Sequence, residues 1–231
     1  MIISNAYQDE LLTNSWKRCW EDVFGTPETD LRDSIIWHYS DPSRHYHNIS
    51  HLIGSLQIFK EYRNLPLAPN RVELAIWLHD VIYNPYAKDN ELESVRFLYD
   101  YLFDQTRGEE VHTTNHQTSR IFAEIERLIQ ATTHNNNDPF YDAYLICDID
   151  LVTLGADDTT FNSYCAKIRD EYKRVPDKDY YKGRLAILHD FLDRGFIYRT
   201  DPFKKKYERK ATTNLLMEIE RIKSVYKATM M

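Results

Sequence analysis

Apolar residues recur at helical spacing along almost the whole chain, and few residues interrupt them. Leu12, Trp16, Cys19, Trp20 and Val23 form one stripe, closed near Gly25 and Pro27. Leu31, Ile35, Ile36 and Tyr39 form a second, ending before Pro42, and Leu52, Ile53, Leu56 and Phe59 a third, for which Ser50 is the expected cap. Recurrence at i, i+3, i+4 and i+7 predicts amphipathic helices packed through one face. With only six glycines and eight prolines in 231 residues, the chain has too little turn chemistry for an all-β design.

The pattern continues downstream. Asn70 is the expected N-cap of a helix with Val72, Ala75, Ile76 and His79 on one side; Asn84-Pro85 ends it, and Asp89 or Asn90 starts the next with Glu91 in its first turn. A helix is expected from about Thr114 to Thr133, with Ile121, Ile125, Leu128, Ile129 and Thr132 inward. The alternation Cys147-Asp148-Ile149-Asp150-Leu151 is compatible with a strand, but helical neighbours and Gly155 as a C-terminal stop favour helix. Three more helices are expected around Phe161 to Tyr172, Leu185 to Leu192 and Tyr207 to Ile219. The prediction is one all-α domain spanning 1–231, a single compact multi-helix bundle.

Composition narrows the function classes. A formal net charge of −7 and the lack of a long Lys/Arg run argue against a nucleic-acid polymer as partner. No apolar run approaches the length of a membrane span, and the N-terminal segment has no leader pattern, so a soluble cytoplasmic protein is expected. Cys19, Cys147 and Cys165 are odd in number and sit in apolar stripes, as small core residues do in a reducing compartment.

The chemistry concentrates at His79-Asp80, which closes the apolar run Leu74-Ala75-Ile76-Trp77-Leu78. A buried acid beside a buried imidazole requires a partner, and a divalent cation supplies one. His51 at the start of one helix, His79 and Asp80 at the end of another, and Asp150 in a third are the candidate ligands, with His47 and Asp148 as near alternatives. Two imidazoles and two carboxylates suit Mn²⁺, Fe²⁺, Co²⁺, Ni²⁺ or Zn²⁺ better than Mg²⁺, which prefers oxygen and water. One ion is the simplest hypothesis.

The order His51, His79-Asp80, Asp150 resembles the H…HD…D signature of the HD superfamily of metal-dependent phosphohydrolases, an all-helical group. The resemblance extends over Arg44-His45-Tyr46-His47-Asn48-Ile49-Ser50-His51, Trp77 to Pro85, Asp89 to Ser94, Asp148 to Gly155, Ile168 to Tyr172 and Phe196 to Thr200. These stretches are similar to a bacterial family of HD phosphohydrolases with no assigned substrate. The likeness implies an HD-type domain with a metal-site core at about 44–155 and C-terminal helices 157–231 packed on it. It selects His51 over His47, because the family's first histidine immediately precedes an apolar helix, and Asp150 over Asp148, because the family's last acid is followed by an apolar or basic residue and Leu. Asp148 is left to orient a ligand or face solvent. The Glu-Asp pair of the superfamily's alarmone hydrolases is missing after Asp80, and so is the Gly-Tyr-Pro motif of its cyclic-dinucleotide branch.

The implied reaction is hydrolysis of a small phosphorylated metabolite, a nucleotide among the candidates, with Asp80 as ligand and proton acceptor. Glu91 is a second catalytic candidate, although an acid also suits the first turn of a helix. Arg44 is the expected phosphate clamp, with His47 and His134 as further substrate contacts. Lys88, Arg169, Lys173, Arg184 and Arg199 are weaker clamps, better explained by solvated helix faces, and His38, His45, His112, His116 and His189 belong to no constellation. Two rivals share the scaffold: an iron-dependent oxygenase and a non-catalytic metal- or nucleotide-binding sensor.

Overall fold

A computed structural model describes residues 5–25, 27–103, 116–135 and 138–229. The expected start near Thr114 and His112 lie outside them. The fold is all-α, with no strand among the described residues. They group into two compact units, Met1–Ile146 and Cys147–Met231. No described helix is long and apolar enough to cross a membrane.

In the first unit, α1 (Asn5–Trp16) passes through a π-helical turn (Lys17–Glu21) into the short α2 (Asp22–Phe24). Gly25 closes it at φ +82°, a left-handed conformation that suits glycine. Next come α3 (Thr29–Tyr39), α4 (Ile49–Tyr62), α5 (Pro69–Leu78), α6 (Asn90–Phe103) and α7 (His116–Ala131). α8 (Tyr141–Asp150) begins in this unit and carries the chain across the division.

α5 is the centre of the first unit. Every residue from Val72 to Val81 is buried, and the helix packs against α4, α6, α7 and the π-helical turn. Apolar residues on all sides are what a helix surrounded by others requires. Trp16 stacks on Trp20 at 5.1 Å and meets Trp77 edge-on at 5.2 Å, joining the first stripe to α5.

Two helix starts differ from expectation. Asn48, not Ser50, caps α4, its side chain accepting from the Ser50 amide, because the chain is still extended at Asn48. α5 starts at Pro69 rather than after an Asn70 cap; proline lacks the amide that the first turn leaves unpaired. The amides of Leu67 and Ala68 donate instead to the buried Asp142 carboxylate, at 2.8 and 2.9 Å.

In the second unit, α8 tightens into a 3-10 turn (Leu151–Gly155), followed by α9 (Asp158–Glu171), α10 (Asp177–Asp193) and α11 (Asp201–Thr229). The segment 147–150 is helical, as read from its neighbours. Gly155 is not the left-handed stop expected of it. A Cβ there would lie 2.8 Å from Tyr207 Cβ and 2.9 Å from the Tyr198 hydroxyl, so glycine permits the close approach of α11. Asn214 secures the same contact by donating to the carbonyls of Leu154 and Ala156 at 2.8 and 2.9 Å. Cys19, Cys147 and Cys165 are buried, as expected of small core residues.

Candidate metal centre

His79 lies one residue past α5, its amide donating to the Ala75 carbonyl at 2.9 Å, so it stays in helical register and inherits the buried face. It is 3% exposed. Nδ1 lies 2.9 Å from the Ile76 carbonyl, which can only accept; Nδ1 therefore carries a proton, and Nε2 is the ring atom that would bind a cation. His51, in the first turn of α4, brings its own Nε2 to 3.2 Å from His79 Nε2. Asp80 Oδ2 stands 3.2 Å from His79 Nε2 and 3.6 Å from His51 Nε2.

These three separations test the fit to a metal. Ligand bonds of about 2.1 Å place neighbouring ligands roughly 3.0 Å apart at right angles and roughly 3.4 Å apart in a tetrahedron. The observed triangle matches the edges of such a polyhedron. Two ring nitrogens and a carboxylate converge here in a buried place, a setting that suits a cation. Asp150, at the end of α8 and half-buried, completes the group: one ligand atom from each of His51, His79, Asp80 and Asp150 lies within 4.8 Å of the others. The group can hold a metal ion, and its mixed nitrogen and oxygen donors favour a transition metal over Mg²⁺.

Burial pushes the Asp80 carboxyl up, but the His79 imidazole beside it, with His47 and His51 further off, outweighs burial and holds it well below the usual carboxylate range. The Asp80 amide donates to the Tyr39 hydroxyl at 3.2 Å. Tyr39 is itself fully buried, which pushes its phenol strongly upward and keeps it neutral.

Arg44, expected as a phosphate clamp, is committed elsewhere. It is 8% exposed and donates to the carbonyls of Asp80 at 2.6 Å, Val81 at 2.8 Å and His47 at 3.3 Å. A cation here satisfies carbonyls just beyond the C-terminal end of α5, where orphan acceptors and the helix dipole both favour it. Its guanidinium lies between Tyr39 and Tyr83, at 5.4 and 5.7 Å from the ring centres. Tyr83 in turn stacks on His47 at 4.2 Å. Arg44 therefore fixes the backbone that presents Asp80.

His47 stands close enough for its charge to act on Asp80, and its ring meets that of His51 at 5.8 Å. Glu91 is half-buried in the first turn of α6, and neither it nor His134 belongs to the group of four. His134 follows α7 with φ +56°, a left-handed helix end that histidine adopts more readily than most residues. Asp148 does not face solvent: it is fully buried, accepting from the Arg199 amide at 2.7 Å, the Thr200 amide at 2.8 Å and the Thr200 hydroxyl at 2.7 Å. Burial pushes its carboxyl up to about 6 against those hydrogen bonds. Its work is to hold the turn that opens α11.

Sequence reasoning missed Tyr39 as a partner of the Asp80 backbone and the structural use of Arg44. The signal for Tyr39 was weak, a tyrosine at the end of an ordinary stripe. For Arg44 it was misleading, because an arginine near histidines serves a phosphate as well as a carbonyl. Compared with known proteins, the chain matches no family model, no curated protein and no solved structure.

Proposed function

We propose that this chain is a metal-dependent phosphohydrolase of the HD type acting on a small phosphorylated metabolite. The observation that carries the reading is the buried triangle of His51 Nε2, His79 Nε2 and Asp80 Oδ2, with the His79 tautomer set by Ile76. When bound, one divalent ion, Mn²⁺, Fe²⁺, Co²⁺, Ni²⁺ or Zn²⁺, supplies Lewis acidity and lowers the pKa of its water. His51, His79, Asp80 and Asp150 hold it. The Asp80 carboxylate accepts the proton of the attacking water. His47, held against Tyr83, faces the substrate side, and Glu91 and His134 are further contacts for substrate or water. In the net reaction a water oxygen bonds to phosphorus, the bond from phosphorus to the leaving oxygen breaks, and that oxygen takes up a proton.

The test is product release from a panel of nucleotides and sugar phosphates by the full chain with added Mn²⁺, Co²⁺, Ni²⁺ or Mg²⁺. Turnover that needs metal and disappears in Asp80→Ala, together with metal retention, is the expected result. Bound metal without turnover of any phosphate compound overturns the assignment, and two irons per chain would move it to an oxygenase.

A further inference from the structure

The amides that follow α5 are not all satisfied by its own carbonyls. The His79 amide donates to the Ala75 carbonyl, four residues back, at 2.9 Å, and the Val81 amide to the Leu78 carbonyl, three back, at 3.1 Å. Between them, the Asp80 amide would meet the Ile76 carbonyl if the helix ran on. It donates instead to the Tyr39 hydroxyl at 3.2 Å, and among the described residues no backbone carbonyl takes it. The Ile76 carbonyl faces His79 Nδ1, at 2.9 Å. Tyr39, Ile76 and Asp80 are all buried.

Two acceptors have exchanged roles. A buried amide requires a partner, and Tyr39, the last residue of α3, supplies one from outside the helix. The carbonyl released in this way is the one that fixes the His79 imidazole, as a hydrogen bond from behind fixes a metal-ligating histidine. Tyr39 is itself held in place: its ring centre lies 5.4 Å from the Arg44 guanidinium, which donates to the Asp80 carbonyl at 2.6 Å. Side chains from outside α5 therefore take both the N–H and the C=O of Asp80, while its Oδ2 stands 3.2 Å from His79 Nε2.

We propose that Tyr39 is a positioning residue for two ligands of the metal centre at once. By accepting the Asp80 amide, its hydroxyl frees the Ile76 carbonyl to orient His79. This deepens the phosphohydrolase reading and rests on its metal site. Without the hydroxyl, the Asp80 amide turns back to the Ile76 carbonyl, and His79 loses its fixed acceptor.

The experiment uses Tyr39→Phe in the full chain, which keeps the ring against Arg44 and removes only the hydroxyl. Ser94→Ala is its control, because the Ser94 hydroxyl accepts from the Ile82 amide at 3.1 Å, two residues beyond Asp80, and touches no candidate ligand. Competition with a chelating dye reads Zn²⁺ affinity, and nitrogen-edited NMR of the metal-free protein reads the His79 Nδ1 proton. Tyr39→Phe should bind Zn²⁺ about 10- to 100-fold more weakly. Its His79 Nδ1 proton, visible in the unmodified protein, should exchange with water too fast to be seen. Ser94→Ala should lower the urea midpoint but leave Zn²⁺ affinity and the Nδ1 signal unchanged. Unchanged Zn²⁺ affinity in Tyr39→Phe overturns the proposal, as does a His79 signal that persists there. An equal loss of Zn²⁺ affinity in Ser94→Ala also overturns it, since any loosening of this turn would then suffice. The parent reading fails on a different result: Zn²⁺ binding that depends on Tyr39, in a protein that hydrolyses no phosphate compound, keeps the positioning role and removes the enzyme.

Discussion

The two ends of α5 solve the same electrostatic problem in opposite ways. Near its start, Glu73 is 1% exposed, yet it accepts from Ser15 Oγ at 2.7 Å, from Arg18 Nε at 3.0 Å and from Arg63 Nε at 3.4 Å. Arg18 NH2 is a further donor to the same carboxylate. Ser15 Oγ in turn accepts from Trp77 Nε1 at 3.0 Å. Charge and hydrogen bonds are satisfied within the protein. At the other end, His79 and Asp80 meet His51 with two ring nitrogens and a carboxylate oxygen within 3.6 Å of one another. The first end is closed by the chain, whereas the second calls for a cation. One buried helix thus separates a carboxylate satisfied within the protein from a group that can hold a metal ion.

That contrast breaks most directly at Glu73. Glu73→Ala should lower unfolding stability by about 3 kcal/mol, the lower end of what losing one partner of a buried pair costs. The lower end applies because Arg18 and Arg63 are 34% and 31% exposed and find water. Urea unfolding measures this, and metal content per folded chain should be unchanged. A loss of metal alongside stability would show that the two ends are not independent.

Asp80→Asn is the converse experiment. In the unmodified protein, metal at a hundred times its Kd should raise stability by about 2.7 kcal/mol. The variant should lose that increment while keeping a helical circular dichroism spectrum. An increment of equal size in both proteins would remove Asp80 from the ligand set.

Arg44→Ala sharpens the comparison, because Arg44 touches the backbone of the site and not its ligand atoms. Metal affinity should fall about 10- to 100-fold, as for other groups that orient ligands from behind. A competition titration with a chelating dye measures it. Unchanged affinity would return Arg44 to the role of a substrate clamp.

The smallest effect is expected at a third carboxylate of the first unit. The Arg127 side chain, with the Phe140 amide, holds the Asp138 carboxyl below its usual value. Since the folded value is depressed, the stabilisation is present above the unfolded value near 4 and disappears as pH falls below it. Asp138→Asn should cost less than about 1 kcal/mol at pH 7, because Arg127 is 45% exposed and screened. The gap between variant and unmodified protein should close toward pH 2. A gap that persists there would mean the carboxylate acts through shape instead of charge.

The sequence carried much of this. Helical spacing marked the stripes that became α3, α4, α5, α9 and α11, because periodicity is a local property set by which residues face the core. It also brought His51, His79, Asp80 and Asp150 into one candidate group, since ligands must lie on inward faces near helix ends. Glu73 escaped notice because its partners Ser15, Arg18 and Arg63 lie on other helices, and nothing local marks a glutamate as satisfied.

What the sequence determined by itself was therefore the all-α class and the inward placement of His51, His79 and Asp80, both consequences of period and residue chemistry. Tertiary structure alone decided which polar groups are already partnered. It spent Arg44 on carbonyls and Asp148 on the 199–200 turn, turned Gly155 from a helix stop into a point of close packing, and buried Arg184 against Tyr164. The physical reason is that burial and hydrogen-bond satisfaction belong to pairs of residues distant in the chain, and no single stretch of sequence encodes a pair.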